Sequence, residues 1–201
     1  MCGRFESSPS AEGLVDQLRQ LNLDLVIEDE SLTKSVNIAP TEKIHGIKKN
    51  ADILILSRFN WGIKFSPDSP LIFNSRMETI LEKKFWMDIF NSNRCLVPMS
   101  AFYEWKKEGN QKVPYRIFLK DEILFFVPAL YHIDKDKNVF ASLLTTSPNN
   151  FIKHIHHRMP VIFTIDNAIN YLTDSREENL KNCIPFPHPD KMAMERVNLN
   201  G

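Results

Sequence analysis

Three cysteines in 201 residues, Cys2, Cys95 and Cys183, are too few and too widely spaced for a disulfide framework or a zinc ligand set. They fit a reducing compartment. Net charge is absent too: 25 basic and 25 acidic residues cancel, so no global field draws the chain to a polyanion. Any nucleic-acid site must be a local basic patch, with acidic residues placed elsewhere. The amino terminus lacks the charged and then apolar stretches of a secretory signal. No apolar run approaches the roughly eighteen residues of a membrane span. Repeats, low-complexity tracts and linkers are missing as well. The expectation is a soluble, cytoplasmic, monomeric chain with one domain, 1–201.

What is present is ordinary for a globular protein, with 43% apolar and 25% charged residues. Fourteen Phe and three Trp supply large side chains for a core or for stacking. Residues 10–21 place Leu14, Val15, Leu18 and Leu21 on one helical stripe. The polar stretch that follows, to Asn37-Ile38-Ala39-Pro40-Thr41, reads as loop, and 52–59 as a strand running into Trp61-Gly62. Ser75-Arg76-Met77-Glu78 fits a capping box and predicts a helix to about Phe90. Strands are predicted at 94–98, 101–105, 114–119, 123–130, 139–145 and 160–165, with a hairpin turn at Gly109-Asn110. Short helices are predicted at 149–156, from Asp166 or Asn167 to Thr173, and at 176–182 behind a second capping signature, and the tail from Ile184 reads as irregular. Strands crowd the middle without alternating with helices. That predicts an α+β fold on an antiparallel, barrel-like sheet with flanking helices.

Chemistry concentrates in four places. Removal of Met1 before the small residue Cys2 would leave a free 1,2-aminothiol. Its amine titrates near about 7.7–8.0 and its thiol near about 8.5, so both are partly deprotonated at neutral pH. With an aldehyde, the amine forms an imine and the thiol closes a five-membered thiazolidine. A bare Met-Cys start is equally compatible with an incidental residue near a frayed end. Glu104, in Ala101-Phe102-Tyr103-Glu104-Trp105, has apolar and aromatic neighbours that would raise its pKa for acid/base work. The plainer reading is a carboxylate on a solvated strand face, or one paired with Arg or Lys. His154-Ile155-His156-His157-Arg158 gathers three histidines with no nearby carboxylate or cysteine. Acid/base or oxyanion work fits them better than a metal, and a solvated helix end is the bland alternative. Asn74-Ser75-Arg76, at the predicted helix start, could hold an anion. Capping alone explains Ser75.

The segments are more specific together than singly. Met1-Cys2-Gly3-Arg4-Phe5, Asn37 to Thr41, Trp61-Gly62, Asn74 to Thr79, Arg94 to Trp105, Thr145-Thr146-Ser147-Pro148-Asn149 and His156 to Pro160 occur in one order. The series resembles the SRAP family, the abasic-site-processing proteins also called SOS-response-associated peptidases, over residues 1 to about 165. The resemblance implies a single α+β domain with a basic cleft for single-stranded DNA carrying abasic sites, including at single-strand/duplex junctions. It implies that Cys2 forms the thiazolidine with the opened sugar and that Glu104 assists proton transfers. His156 would promote ring opening and crosslink reversal, and Asn74 would lie close to the adduct. Arg4, Arg76 and Arg158 would contact the DNA backbone, and Trp61 and Trp105 would stack on bases. Self-removal of Met1 by the same cysteine is implied, and no metal or cofactor is needed.

Two departures stand out. The family's second tryptophan after Trp-Gly is absent from Trp61-Gly62-Ile63-Lys64-Phe65, which puts junction preference in question. Ser100-Ala101 replaces the usual acidic-glycine pair. Two rival activities share the residues: a cysteine peptidase using Cys2, His156 and Glu104 on other proteins, and a non-covalent single-strand binder stacking bases on Trp61 and Trp105.

Overall fold

The computed structural model describes residues 2–7, 11–19, 25–29 and 35–199. In chain order the strands are β1 (Phe5–Ser7), β2 (Leu25–Ile27), β3 (Ser35–Ile38), β4 (Lys43–Asn50), β5 (Ile53–Trp61), β6 (Asn74–Arg76), β7 (Arg94–Met99), β8 (Ala101–Glu108), β9 (Gln111–Leu119), β10 (Phe125–Ile133), β11 (Val139–Thr146), β12 (Met159–Pro160) and β13 (Met192–Arg196). The helices are α1 (Ala11–Arg19), α2 (Lys84–Ser92), α3 (Ile165–Thr173) and α4 (Arg176–Asn182).

The central sheet closes into a ring. Its order runs β11-β10-β7-β4-β5, and a parallel contact of β5 with β11, Phe140 to Asn60 and Ala141 to Trp61, joins the ends. Most pairings are antiparallel; β2 with β5 and β6 with β11 are parallel. A second sheet, β13-β9-β8-β1-β3, lies against it. The ring strands read as nearly unbroken apolar runs because both of their faces are covered. In β10, Phe126 and Leu130 enter a core shared with Leu14, Leu18, Trp86, Phe90 and Tyr171 of the helices, while Phe125, Val127 and Ala129 enter the other. That second core holds Cys2, Phe5, Phe102 and Ile117 of the smaller sheet. The amino terminus is thus packed into the protein, which is what makes a site there possible.

Several sequence expectations hold. Leu14, Val15 and Leu18 are the buried face of α1, whereas Leu21 lies outside the described residues. Gly109 turns the β8–β9 hairpin with φ +58°, and Ser175 Oγ accepts the Glu178 N–H at 3.2 Å to cap α4. Gly62 is required where the chain leaves β5. Its φ is +120°, and a Cβ there would meet Leu71 at 2.6 Å.

Other expectations are corrected. The stretch before Pro40 contains β3, which exists because β1 offers it an edge, and Lys43–Asn50 forms β4 despite five polar or charged residues that are not buried. Residues 149–156 make consecutive turns rather than a helix, and of 160–165 only Met159–Pro160 forms a strand. Part of the tail is ordered as β13 by pairing with β9. The predicted capping box at Ser75 is not one. Asn74–Arg76 is strand β6, a single 3-10 turn follows at Met77–Thr79, and α2 begins only at Lys84. Its docking on β11, through Leu143, Leu144 and Thr145, outweighs the local capping preference.

Candidate active site at the amino terminus

β1 pairs antiparallel with β8, Phe5 opposite Phe102, and the Tyr103 N–H donates to the Arg4 carbonyl at 2.9 Å. Followed backwards from Phe5, the chain therefore runs along β8 towards Glu104. Cys2 is fully buried, and its Sγ lies 3.8 Å from the Arg4 carbonyl oxygen. Burial pushes the thiol well above its ordinary value, and the Glu104 charge adds to the rise. At neutral pH the sulfur is held as S–H. The Cys2 carbonyl accepts a 2.9 Å bond from Asn74 Nδ2, so β6 also holds Cys2.

Glu104 is 2% exposed. Burial raises its carboxyl from 4.5 to about 7, against the pull of the positive chain terminus. Such a group holds and releases a proton near neutrality. His156 moves the other way: burial, helped by the same positive terminus, lowers it to about 4. Its Nδ1 accepts the Arg158 backbone N–H at 3.0 Å, which leaves the ring proton on Nε2. The same nitrogen is 3.2 Å from the Arg158 carbonyl, the acceptor it would use once protonated. The ring stacks on His157 at 4.3 Å.

The backbone alternation of β6 places Asn74 and Arg76 on one side and Ser75 on the other, against Ser142 Oγ at 2.8 Å. Asn74 Oδ1 is buried without a hydrogen-bond partner among the described residues. Such an acceptor is costly unless something else comes to fill it. A cavity of about 190 Å³ opens beside this strand, bounded by Ile72, Asn74, Arg76 and Trp86.

The structure thus draws Cys2, Asn74, Glu104 and His156 around the start of the chain, from four separate stretches of sequence. It treats the expected DNA contacts unequally. Arg76 is exposed and Trp105 half-buried. Arg4 donates to Asn37 Oδ1 at 2.8 Å. Trp61 is corrected from stacking surface to core: it is wholly buried against Phe5 and Phe73, with its indole N–H on the Phe73 carbonyl at 2.9 Å. Arg158 is engaged within the protein. It is 9% exposed and grips Glu78 with both terminal nitrogens, at 2.7 and 2.9 Å. Phe65 is exposed and packs edge-on against Phe85 at 4.7 Å. Glu78 and Thr145 are the residues whose part in the site the sequence did not indicate; both sit in segments that carried the resemblance, yet only folding puts them on Arg158. Among the described residues no group of three His, Cys, Asp or Glu is arranged to hold a metal ion.

The fold is a closed-sheet α+β domain with a buried cysteine next to its amino terminus, together with a histidine lowered to about 4 and a carboxyl raised to about 7. More specifically, the chain belongs to the SRAP family: the family model described as SOS response associated peptidase (SRAP) matches residues 1–200. It is 32% identical over 195 residues to the abasic site processing protein YoaM of Bacillus subtilis, covering 92% of this chain and 82% of that one. It is 24% identical to the abasic site processing protein YedK of Escherichia coli, covering 100% and 97%. Among solved structures, a protein from Bacteroides thetaiotaomicron superposes with a TM-score of 0.81 at 26% identity, over 99% of this chain and 93% of that one.

Proposed function

We propose that this protein processes abasic sites in single-stranded DNA by bonding covalently to them through Cys2 after Met1 is removed. The observation that carries this reading is the meeting of Cys2, Asn74, Glu104 and His156 at the chain terminus, with Glu104 near 7 and the thiol held protonated. The names of the relatives support the substrate class.

The protonation states set the order of events. A protonated, desolvated thiol is a poor first nucleophile, so the amine of Cys2 attacks the sugar aldehyde first. A carbinolamine forms and loses water, with Glu104 as the acid that protonates the departing hydroxyl. The resulting carboxylate then takes the S–H proton as sulfur attacks the carbon of the protonated imine, whose nitrogen keeps its own proton as the N–H of the ring. One C–N and one C–S bond are formed, one water leaves, and the thiazolidine is closed. His156, with Nε2–H available, donates to the sugar ring oxygen as the hemiacetal opens. Asn74 holds the Cys2 carbonyl so that nitrogen and sulfur face one carbon. Arg76 contacts the phosphates and Trp105 a base; the adduct shields the lesion until it is repaired.

Intact-mass analysis with an abasic oligonucleotide tests this directly. The expected product has lost Met1 and gained the oligonucleotide minus one water, and it survives denaturing electrophoresis. Cys2→Ala should give only a labile imine. A heat-stable adduct with Cys2→Ala would refute the thiazolidine, and steady cleavage of unrelated peptides would favour a peptidase instead.

A further inference from the structure

The ion pair between Glu78 and Arg158 joins residues 80 positions apart, and its arginine is two residues from His156 in the chain. Glu78 Oε1 and Oε2 receive Nη1 and Nη2 at 2.7 and 2.9 Å, a parallel fork that fixes the plane of the guanidinium. Nη2 also donates to Thr145 Oγ1 at 3.1 Å, and that hydroxyl donates to the Ser75 carbonyl at 3.2 Å. The Arg158 side chain is therefore tied to β11 and to the turn after β6. Its backbone N–H is the donor that occupies His156 Nδ1. The guanidinium Nε is buried with no partner among the described residues, so Glu78 and Thr145 alone set its orientation.

We infer that Glu78 is a positioning residue: by clamping Arg158 it aims the Arg158 amide at His156 Nδ1 and so keeps the histidine proton on Nε2, facing the reacting sugar. The inference rests on the proposed abasic-site chemistry for its purpose, but its structural content does not. A surface ion pair would hold nothing in place at this strength, because two flexible side chains in water gain little. Here the Arg158 side chain is 10% exposed against 47% for Glu78, and the fork is bidentate. Arg158 then acts on His156 through its backbone N–H.

The test is the tautomer of His156, read from long-range ¹H–¹⁵N correlation spectra at pH 7 and assigned with His156→Ala. In the unaltered protein Nδ1 is expected as an unprotonated acceptor and Nε2 as the protonated nitrogen. In Glu78→Gln the two nitrogens should move towards a mixture of tautomers, and Glu78→Asp should restore the single form in part. An unchanged, single Nε2–H tautomer in Glu78→Gln would overturn the inference whatever the protein does to DNA. Should Glu78→Gln fail to fold, Thr145→Val loosens the same guanidinium from its other side and is expected to show the same mixing; no mixing there also overturns it.

A second measurement separates positioning from DNA contact. Crosslink formation in Glu78→Gln should slow about ten- to hundredfold, the cost of a misplaced catalytic group. Affinity for undamaged single-stranded DNA should stay within about twofold, since a uniform binding contact is not involved. In the His156→Ala background Glu78→Gln should cost nothing more, because groups acting as one unit are non-additive. Affinity that instead rises several-fold would mark Arg158 as a phosphate ligand masked by Glu78. Absence of any crosslink from the unaltered protein would sink the proposed function while leaving the tautomer result standing.

Discussion

Glu6 and Glu104 lie on paired strands, β1 and β8, and are almost equally buried, at 8% and 2% exposure. Their carboxyls nevertheless move in opposite directions. For Glu6 burial alone would raise the value, but Arg116 bonds at 2.7 and 3.0 Å, Ser100 Oγ at 2.8 Å and Tyr103 at 3.2 Å outweigh it and hold it below 4.5. For Glu104 burial prevails and carries it to about 7. At similar exposure the direction is set by what faces each carboxyl: charged and hydroxyl donors at Glu6 outweigh burial, and the positive chain terminus at Glu104 does not. One end of the β1–β8 pair fastens the amino-terminal strand to β8 and β9, with a charge that never changes near neutral pH. The other end holds a charge that changes readily, beside the residue the first end keeps in place.

The sharpest way to break this contrast is Glu104→Gln. Losing the proton carrier should slow crosslinking about 10²–10³-fold, measured in single turnover on an abasic oligonucleotide. The same change should stabilise the fold at high pH. A raised carboxyl contributes stability below its unfolded value of 4.5 and loses it as pH rises through about 7. Wild type therefore carries the cost of a buried charge at pH 8, on the order of 3 kcal/mol from the shift itself. The neutral amide recovers only part, about 1–2 kcal/mol, since it too needs hydrogen-bond partners. Tm should rise at pH 8 and match wild type below about pH 4.5. A loss of stability at pH 8 would mean that Glu104 is held by an ion pair, like Glu6.

Glu6→Ala should give the reverse pattern. It strands Arg116, whose remaining carboxylate is Glu195 at 3.1 Å. Breaking a fully buried pair costs about 3–5 kcal/mol. Arg116 is 22% exposed and keeps that second partner, so about 2–3 kcal/mol is expected, or roughly 5–10 °C in Tm. Crosslinking measured well below Tm should change less than about threefold, far under the loss for a catalytic group. The milder Glu6→Gln bears on acid stability. A lowered carboxyl gives stability above 4.5 that is lost as pH falls through the folded value. Urea titrations from pH 6 to 3 should show a shallower acid decline in Glu6→Gln than in wild type.

Ser100 illustrates how far the sequence could be read. Its replacement of an acidic residue stood out, but its use as a donor to Glu6, 94 positions away, belongs to the strand pairing. Cys2, Asn74, Glu104 and His156 were singled out by the ordered motifs that carry the resemblance, each motif alone allowing a plainer reading, and their convergence belongs to the fold. Trp61 was misread because type and motif say what a side chain can do, not which way it faces. Glu78 matched a capping signature three residues after Ser75, and only the docking of β6 on β11 turned it towards Arg158 instead. The ring strands were visible as apolar runs, whereas β3 and β13 owe their existence to edges offered by β1 and β9.

The two tryptophans provide the smallest and most selective comparison. Trp61 is wholly buried and Trp105 half-buried on β8, next to Glu104. Replacing a half-buried indole that stacks on one base should cost about 1 kcal/mol, roughly fivefold in affinity for single-stranded DNA. Trp105→Ala should therefore weaken binding of an undamaged oligonucleotide about fivefold with little change in Tm. Trp61→Phe should do the opposite: the lost volume and the stranded Phe73 carbonyl destabilise the core by about 1–3 kcal/mol. Its DNA affinity, measured where the protein remains folded, should hold. Fluorescence anisotropy paired with thermal melts distinguishes the two. If Trp61→Phe weakens DNA binding more than Trp105→Ala does, the indole leaves the core on binding, and the division between a fixed core and a reactive amino terminus does not survive contact with the substrate.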